Sequence, residues 1–395
     1  MGRDAGVTVD RETLAVYEHL AGTYAARGTV PDAERTAALV AEATARDDGR
    51  PGPVLDLGCG PGHHLPLLGS QIIGLDPAAA MLAEARSTAP GAPLVRAAAG
   101  ALPFRPRSLG GAWASKCLQH IAAADLPLAL ADLHRALPVG APLRATLFAG
   151  HGERVSNGDL PGRRFTFWDP SALAELAEGA GFVAVRSRTE PVRSEEAARG
   201  RWTPVHLDAT RGLTLADTIA PGMRLLVCGL NPSLHAAQVG VGYAGPGNRF
   251  WPALAEAGLL PPGADRDPWR LLADARIGMT DLVKRATPRA DALTTAEYRA
   301  GVTRLDRLCA LVAPETVVLV GLAGWRAAAD RRAVVGWQAR RLGPSAVYVM
   351  PSTSGLNAGT SRAALVEHLR AAANRAGDQS TSPPGPTEPS PGADA

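Results

Sequence analysis

The stretch Leu225-Leu-Val-Cys228 is apolar at every position, without the alternation of a strand that shows one face to water. Thr316-Val-Val-Leu-Val320 and Ala346-Val-Tyr-Val-Met350 read the same way. Strands of this kind must be covered on both faces, which is the condition of a parallel sheet flanked by helices. Helical segments lie between them. Asn248 to Ala257 carries an apolar face of Phe250, Trp251 and Leu254, with Asn248 placed to cap it and Gly258 to end it. Thr294-Thr-Ala-Glu297 is a capping box. It opens a helix whose apolar positions are Tyr298, Val302, Leu305, Cys309 and Val312. A last helix is expected from about Ser361 to Ala373, so this half is a three-layer α/β domain. Its first strand ends in Gly229-Leu-Asn-Pro-Ser233, which sets a polar amide where the crevice of such a sheet opens.

The first half is also α/β. Helical pattern runs from about Glu12 to Ala45, broken at Pro31-Asp32. Val54-Leu-Asp-Leu57 then leads into Gly58-Cys-Gly-Pro-Gly62, and Ile72-Ile-Gly-Leu75 ends in Asp76. Glycines let a ligand approach the backbone, the following helix offers free N–H groups, and an acid closing the second strand suits a ribose.

A length of 395 residues makes two domains the natural expectation. We place them at 10–190 and 206–374, joined by a linker over 191–205 with a short helix at Ser194–Arg199, and followed by a disordered tail at 375–395. A hydrophobic content of 46% with 20% charge is that of soluble globular material. No apolar run has the length of a membrane span, and the start lacks a signal-peptide core, so the expectation is a cytoplasmic protein without a membrane partner. Cys59, Cys117, Cys228 and Cys309 show no CxxC spacing, which argues against zinc or an iron–sulfur cluster. A net charge of +3 does not by itself argue for nucleic acid; local patches must make that case.

The first half resembles class I S-adenosylmethionine-dependent methyltransferases, with a Rossmann-like fold. The resemblance rests on Asp56-Leu-Gly-Cys-Gly-Pro-Gly62, on Gly74-Leu-Asp76-Pro with Met81-Leu-Ala83, and on Ala112-Trp-Ala-Ser-Lys-Cys-Leu-Gln-His120, followed by a helix over Leu126–Leu137. It implies S-adenosylmethionine as cofactor, with Asp56, Gly58, Cys59, Gly60 and Gly62 around its methionine end, Asp76 on the ribose, and Met81 and Ser115 nearby. The chain departs from the pattern about Ala98, where many relatives carry an acid facing the adenine. His63, His64 and His120 are read as solvated or structural, and the methyl acceptor is left unknown. A domain that keeps the fold without turnover is the competing reading.

The second half is similar to the mismatch-specific uracil-DNA glycosylase family, which includes bacterial mismatch uracil glycosylase and thymine-DNA glycosylase. The motifs are Gly229-Leu-Asn-Pro-Ser233, Tyr243-Ala-Gly-Pro-Gly-Asn-Arg-Phe-Trp251, Gly278-Met-Thr-Asp-Leu-Val-Lys-Arg285 and Met350-Pro-Ser-Thr-Ser-Gly-Leu356. Ser233 stands where the family usually has glycine. The resemblance implies a cofactor-free hydrolase that acts on double-stranded DNA and removes uracil opposite guanine, with thymine and ethenocytosine left open as substrates.

The chemistry supports Asn231 as the catalytic residue. Its amide is no general base, but its oxygen can hold and orient an attacking water while the base leaves as an anion. Gly229, Leu230, Pro232, Gly240, Tyr243 and Asn248 are assigned to the base pocket, with Tyr243 as stacking face and Asn248 more a cap than a contact. Leu356 is the wedge that fills the gap in the stack, flanked by Ser352, Ser354, Gly355 and Asn357. Arg249, Lys284, Arg285 and Arg362 are the candidate DNA phosphate contacts. Lys284 also raises a Schiff-base lyase, against which a monofunctional enzyme using water is preferred. With no acid in the strand-end motif, positioning and anion stabilisation carry the reaction. The rival reading makes this domain a non-catalytic damage-binding module that serves a methyltransferase.

Overall fold

The computed structural model describes residues 9–28, 32–44, 52–158, 160–192 and 202–379. The helix expected at 194–199 and the tail beyond 379 lie outside the described residues.

The first sheet is built from β1 (Val54–Leu57), β2 (Ile72–Asp76), β3 (Leu94–Arg96), β4 (Gly111–Ser115), β5 (Pro142–Ala149), β6 (Glu153–Val155), β7 (Arg164–Trp168), β8 (Phe182–Thr189) and β9 (Pro204–Arg211). Its order is β3-β2-β1-β4-β5-β7-β6, and β9 runs antiparallel to both β5 and β8. The core of the sheet is parallel, with Asp56 beside Gly74 and Leu57 beside Leu75. The ligand loops therefore leave the ends of β1, β2 and β4 together. Ahead of β1 come the helices Arg11–His19, Ala21–Ala26 and Ala33–Thr44, one break more than the sequence pattern suggests.

The second sheet contains β10 (Leu225–Gly229), β11 (Ile277–Asp281), β12 (Thr316–Val320), β13 (Gly336–Trp337) and β14 (Ala346–Met350), in the order β11-β10-β12-β14-β13. All neighbours are parallel except β13 with β14. Alternation within β10 shows the three layers. Leu225 and Val227 pack with Phe250, Trp251, Leu254 and Leu365 on one face. Leu226 and Cys228 pack with Tyr298, Val302, Leu305 and Trp325 on the other. The capping box forms as expected: the Thr294 hydroxyl accepts from the Glu297 N–H at 3.2 Å, and Glu297 Oε2 accepts from the Thr294 N–H at 2.8 Å. The helix it opens runs Thr295–Val312. The Phe250 helix is shorter than expected, Phe250–Glu256, and the last helix is longer, Arg362–Gln379, reaching into the segment expected as tail.

One boundary is corrected by the strand pairing. Residues 206–211, assigned by sequence to the second domain, belong to β9 and sit in the first sheet, where Arg144 pairs with Asp208 and Thr146 with His206. The partner strand lies some sixty positions earlier, so local patterning carries no trace of it. The two halves also share a core. One buried cluster runs from Leu55 through Leu147 and Leu207 to Ile219, Leu226 and Leu305. Across the same seam the Asp217 N–H donates to the Gly179 carbonyl at 3.2 Å, and Arg307 Nη1 meets Glu175 Oε2 at 2.6 Å. Among the described residues no helix is long and apolar enough to cross a membrane.

Asp217, 2% exposed, is the polar centre of this seam. Its carboxylate takes Lys284 Nζ at 2.7 Å, Arg304 Nη1 at 2.7 Å and the Thr280 hydroxyl at 2.6 Å. Burial alone would raise its pKa, but Arg304 and Lys284 hold it below the usual carboxylate value. Removing the buried carboxylate strands two partly buried cations, so Asp217→Ala is expected to cost about 3–5 kcal/mol, read as a lower urea midpoint. The sign with pH follows from the depressed pKa. This stabilisation is complete above about pH 4 and is lost only as acid protonates the folded-state carboxylate.

Candidate functional site

At the end of β10 the Asn231 side chain is held by its nitrogen. Nδ2 donates to the Thr287 hydroxyl at 2.7 Å, to the Arg285 carbonyl at 3.0 Å and to the Pro232 carbonyl at 3.2 Å. The Thr287 hydroxyl spends its own proton on the Arg289 carbonyl at 2.8 Å, so it must accept from the amide. Three acceptors around one end fix which way the amide points. Among the described residues, Oδ1 takes no hydrogen bond. The arrangement presents an oriented, unsatisfied oxygen on a rigid backbone.

Gly229 explains itself by what surrounds it. A Cβ there would collide with Asp281 Oδ1 and come 3.1 Å from the Tyr243 hydroxyl, so two side chains close over a position only glycine can occupy. Tyr243 sits at φ +57° and stacks on Phe250, with centroids 4.2 Å apart and planes at 24°, which leaves its other ring face unstacked. Its hydroxyl is buried with no hydrogen-bond partner among the described residues. Asp281 ends β11, register partner of Gly229, and is the acid that the strand-end motif lacks. Burial pushes its carboxyl up to about 6, against the pull of Lys284. The residue lies inside the third sequence motif, yet only the pairing of β10 with β11 brings it to the site.

The remaining pocket residues divide by role. Leu230 turns its side chain into the core, against Gly324. Pro232 is buried, and Gly240 caps the helix Leu234–Val239 in the left-handed conformation. Asn248 is not the N-cap expected of it: Arg249 holds that position, and Asn248, one residue earlier, accepts from the Phe250 N–H through Oδ1 at 3.0 Å. The Ser233 hydroxyl is the N-cap of helix Leu234–Val239, accepting from the Ala236 N–H at 3.1 Å, so it is used by the helix and does not narrow the pocket.

The loop after β14 holds Leu356 out to solvent, 96% exposed. Gly355 lies against Gly247, where a Cβ would stand 2.8 Å from the Gly247 carbonyl oxygen. Asn357 Nδ2 donates to the Ser352 carbonyl at 2.8 Å and the Thr360 hydroxyl at 3.1 Å. The Ser354 hydroxyl accepts from the Leu356 N–H at 3.3 Å.

The four cations expected at DNA phosphates are all engaged within the chain. Arg249 staples the Leu356 loop, donating to the carbonyls of Asn357 at 2.7 Å, Ser354 at 3.0 Å and Thr360. Lys284 is partly buried and paired with Asp217, and is not offered to a sugar as an amine nucleophile. Arg285 forms a fork with Glu297, at 2.7 and 3.1 Å, which with the Thr294 backbone holds that carboxyl down at about 2. Arg362 pairs with Glu256 at 2.9 Å. Arg285 and Arg362 nonetheless remain half exposed, and surface pairs of this kind are weak.

In the first domain the glycine loop closes around a second cavity. Gly58 has φ +64°, and a Cβ there would strike Cys117. Asp76 braces the loop: Oδ2 accepts from the Gly60 N–H at 3.0 Å and Oδ1 from the Ala78 N–H at 2.9 Å. Burial raises this carboxyl to about 6. Gly58, Cys59, Gly60, Asp76, Met81 and Ser115 all line the cavity. Asp56 lies behind it, with Oδ2 buried and unpartnered, and Gly62 packs against Leu65 and Ala85. Ala98 lines the cavity too, so the departure from the family pattern falls at the ligand surface. Sequence reading missed the cover from Tyr17, Tyr24 and His120. Tyr17 Oη and His120 Nε2 lie 2.9 Å apart, Arg163 donates to the same hydroxyl at 3.1 Å, and burial lowers the His120 pKa to about 4. Tyr17 and Tyr24, one on each of the first two helices, were the available signal.

Comparison with known proteins agrees with this division. The uracil DNA glycosylase superfamily model matches residues 216–375, and a methyltransferase domain model matches residues 54–140. Among solved structures, the chain is similar to a 1,6-didemethyltoxoflavin-N1-methyltransferase of Burkholderia thailandensis, with 21% identity over 50% of this chain and 88% of that one, at a TM-score of 0.37. It is similar to phosphoethanolamine N-methyltransferase 2 of Haemonchus contortus, with 17% identity over 45% of this chain and 52% of that one, at 0.36. A third is an S-adenosylmethionine-dependent methyltransferase of Mesorhizobium loti, with 21% identity over 40% and 90%, at 0.32. The chain joins a methyltransferase domain to a domain of the uracil DNA glycosylase superfamily.

Proposed function

We propose that the second domain is a monofunctional glycosylase that hydrolyses the N-glycosidic bond of uracil opposite guanine in DNA. The observation that carries this reading is the Asn231 amide, pinned at its nitrogen with its oxygen unused. That oxygen accepts a hydrogen bond from the attacking water and aims the water's lone pair at the sugar carbon, while the base departs as an anion. The uracil leaves the helix first, stacks on the open face of Tyr243, and Leu356 fills the vacated space. Purified protein is expected to leave alkali-labile abasic sites in a G·U duplex, and Asn231→Ala to slow this by roughly 100-fold or more, since a misplaced nucleophile alone costs that much. Undiminished excision by the variant would refute the water-holding role.

Asp281 adds a pH dependence. As an anion beside Tyr243 it can accept from the N3–H of uracil; protonated, it competes as a donor. With its carboxyl near 6, excision is expected to rise with pH across about 5 to 7, and Asp281→Asn to flatten that limb. The same raised pKa makes the group's ionisation cost stability as pH climbs from about 4 to 6, the opposite sign to Asp217.

For the first domain we propose an S-adenosylmethionine-dependent methyltransferase. The residues present fit that cofactor: each Asp76 oxygen makes one backbone bond and keeps a lone pair, and a Cβ at Gly60 would meet only the Tyr24 ring at 4.0 Å. Asp76 would hold the ribose hydroxyls and Gly58 and Gly60 the methionine end, with Ala98 leaving adenine to backbone contacts. Bound there, the cofactor supplies an electrophilic methyl group. Incubation with tritiated cofactor and fractionated cell extract is expected to label one class among nucleic acid, protein and metabolites. Failure to label any class would favour a domain without turnover.

A further inference from the structure

Between the two domains lies a cavity of about 470 Å³ that shares Tyr243 and Asp281 with the proposed base pocket but whose first-domain wall neither proposed reaction uses. Its first-domain wall holds Arg107, His134 and Arg211; its second-domain wall holds Tyr243, Trp269 and Asp281. Arg211 is the last residue of β9 and is 3% exposed. Its backbone is satisfied, since Arg211 N donates to the Ala141 carbonyl at 2.9 Å and its own carbonyl accepts from the Gly140 N–H at 2.9 Å. Its side chain is not: Nε and Nη1 are buried without a partner, and among the described residues no carboxylate pairs with the guanidinium.

An uncompensated buried cation is costly, and arginine cannot escape by discharging. Burial and Arg107 lower the Arg211 pKa only to about 10, which leaves it charged at neutral pH. The other charged groups on the walls do not answer it. Arg135 is taken up by Asp132 at 2.6 Å and by the Phe104 and Leu102 carbonyls at 2.7 and 2.9 Å. Asp267 caps a helix through the Trp269 and Arg270 N–H groups at 2.9 and 3.2 Å. Asp281 is turned to Gly229. Arg107 is exposed and spends one donor on the Gln238 carbonyl, and His134 Nε2 is buried without a partner. The cavity thus has a cationic pole with unused donors on the first domain and an aromatic pole, Tyr243 and Trp269, on the second.

We infer that this cavity is a nucleotide site in which Arg211, helped by Arg107, binds the phosphate and the aromatic pole takes the base. A planar guanidinium fork matches phosphate oxygens two at a time, and a phosphate supplies the counter-charge the fold withholds. The phosphate reaches the site either on a free mononucleotide or on a nucleotide extruded from DNA. Use of Tyr243 by the extruded form rests on the glycosylase reading; the anion pole does not.

The test is calorimetric titration of the full chain with inorganic phosphate and with deoxyuridine monophosphate. Both are expected to bind, deoxyuridine monophosphate more tightly, with Arg211→Met weakening each at least tenfold and Arg107→Ala several-fold. Arg107 is exposed, so its variant keeps the inference testable should the buried one fold poorly. Asn231→Ala is expected to bind both ligands as wild type does, so loss of excision and loss of this site are separable. Displacement of deoxyuridine monophosphate by a G·U duplex assigns the phosphate to DNA, and its retention assigns it to a free nucleotide. Unchanged affinity in both arginine variants, or no binding of either ligand to the wild-type chain, overturns the inference.

Discussion

Everything at the glycosylase-type site rests on the burial of Asp217 with two cations. Arg304 reaches it from the helix Thr295–Val312, and Lys284 from just beyond β11. Arg304 also donates to the Asp281 carbonyl at 2.6 Å. The node thus fixes the end of β11, and so the place of Asp281 over Gly229 and of the 285–289 segment that pins Asn231. Buried ion pairs are weak evidence for stability, since a packed apolar cluster of equal volume often does as well. Their value here is positional. Hydrogen bonds fix direction as an apolar cluster does not, and a misplacement of about 1 Å is enough to spoil a site that works by orienting a water.

The node also faces the other domain, since Asp217 hydrogen-bonds to the backbone at Gly179. Together with the apolar cluster shared by both halves, this makes the pair of domains one packed object rather than two beads on a linker. Inter-domain motion is the default only where the interface is small and polar. Here β9, the strand that completes the first sheet, leads directly into the segment bearing Asp217. Arg211, the last residue of β9, stands at this junction.

Legibility in the sequence followed the range of the interaction. Continuous apolar strands, the capping box at Thr294 and the glycine loops at Gly58 and Gly229 are local, and they are where the spacing places them. The exposed Leu356 was legible because a leucine among Ser, Gly and Asn has nothing local to bury against. Features set by distant pairing were not. Strand β9 finds its partner far back in the chain, and its alternation is masked by the charge and proline before it. Asp281 sits in a motif that was read correctly, but its nearness to Gly229 depends on which strand lies beside β10.

The arginines show the same limit from the side of chemistry. Counted in sequence, Arg249, Arg285 and Arg362 look like a basic surface for DNA. In the fold each has found carbonyls or a carboxylate close by, because a guanidinium with five donors bonds to whatever acceptors lie within reach. Arg304 and Arg211 carry the comparison to its end. Both are buried arginines in or beside the domain seam. One is met by Asp217; the other has no carboxylate beside it among the described residues. The sequence around each gives no hint of the difference. It lies in which acceptors the fold brings near: Asp217 answers the charge of Arg304, and among the described residues no carboxylate answers that of Arg211.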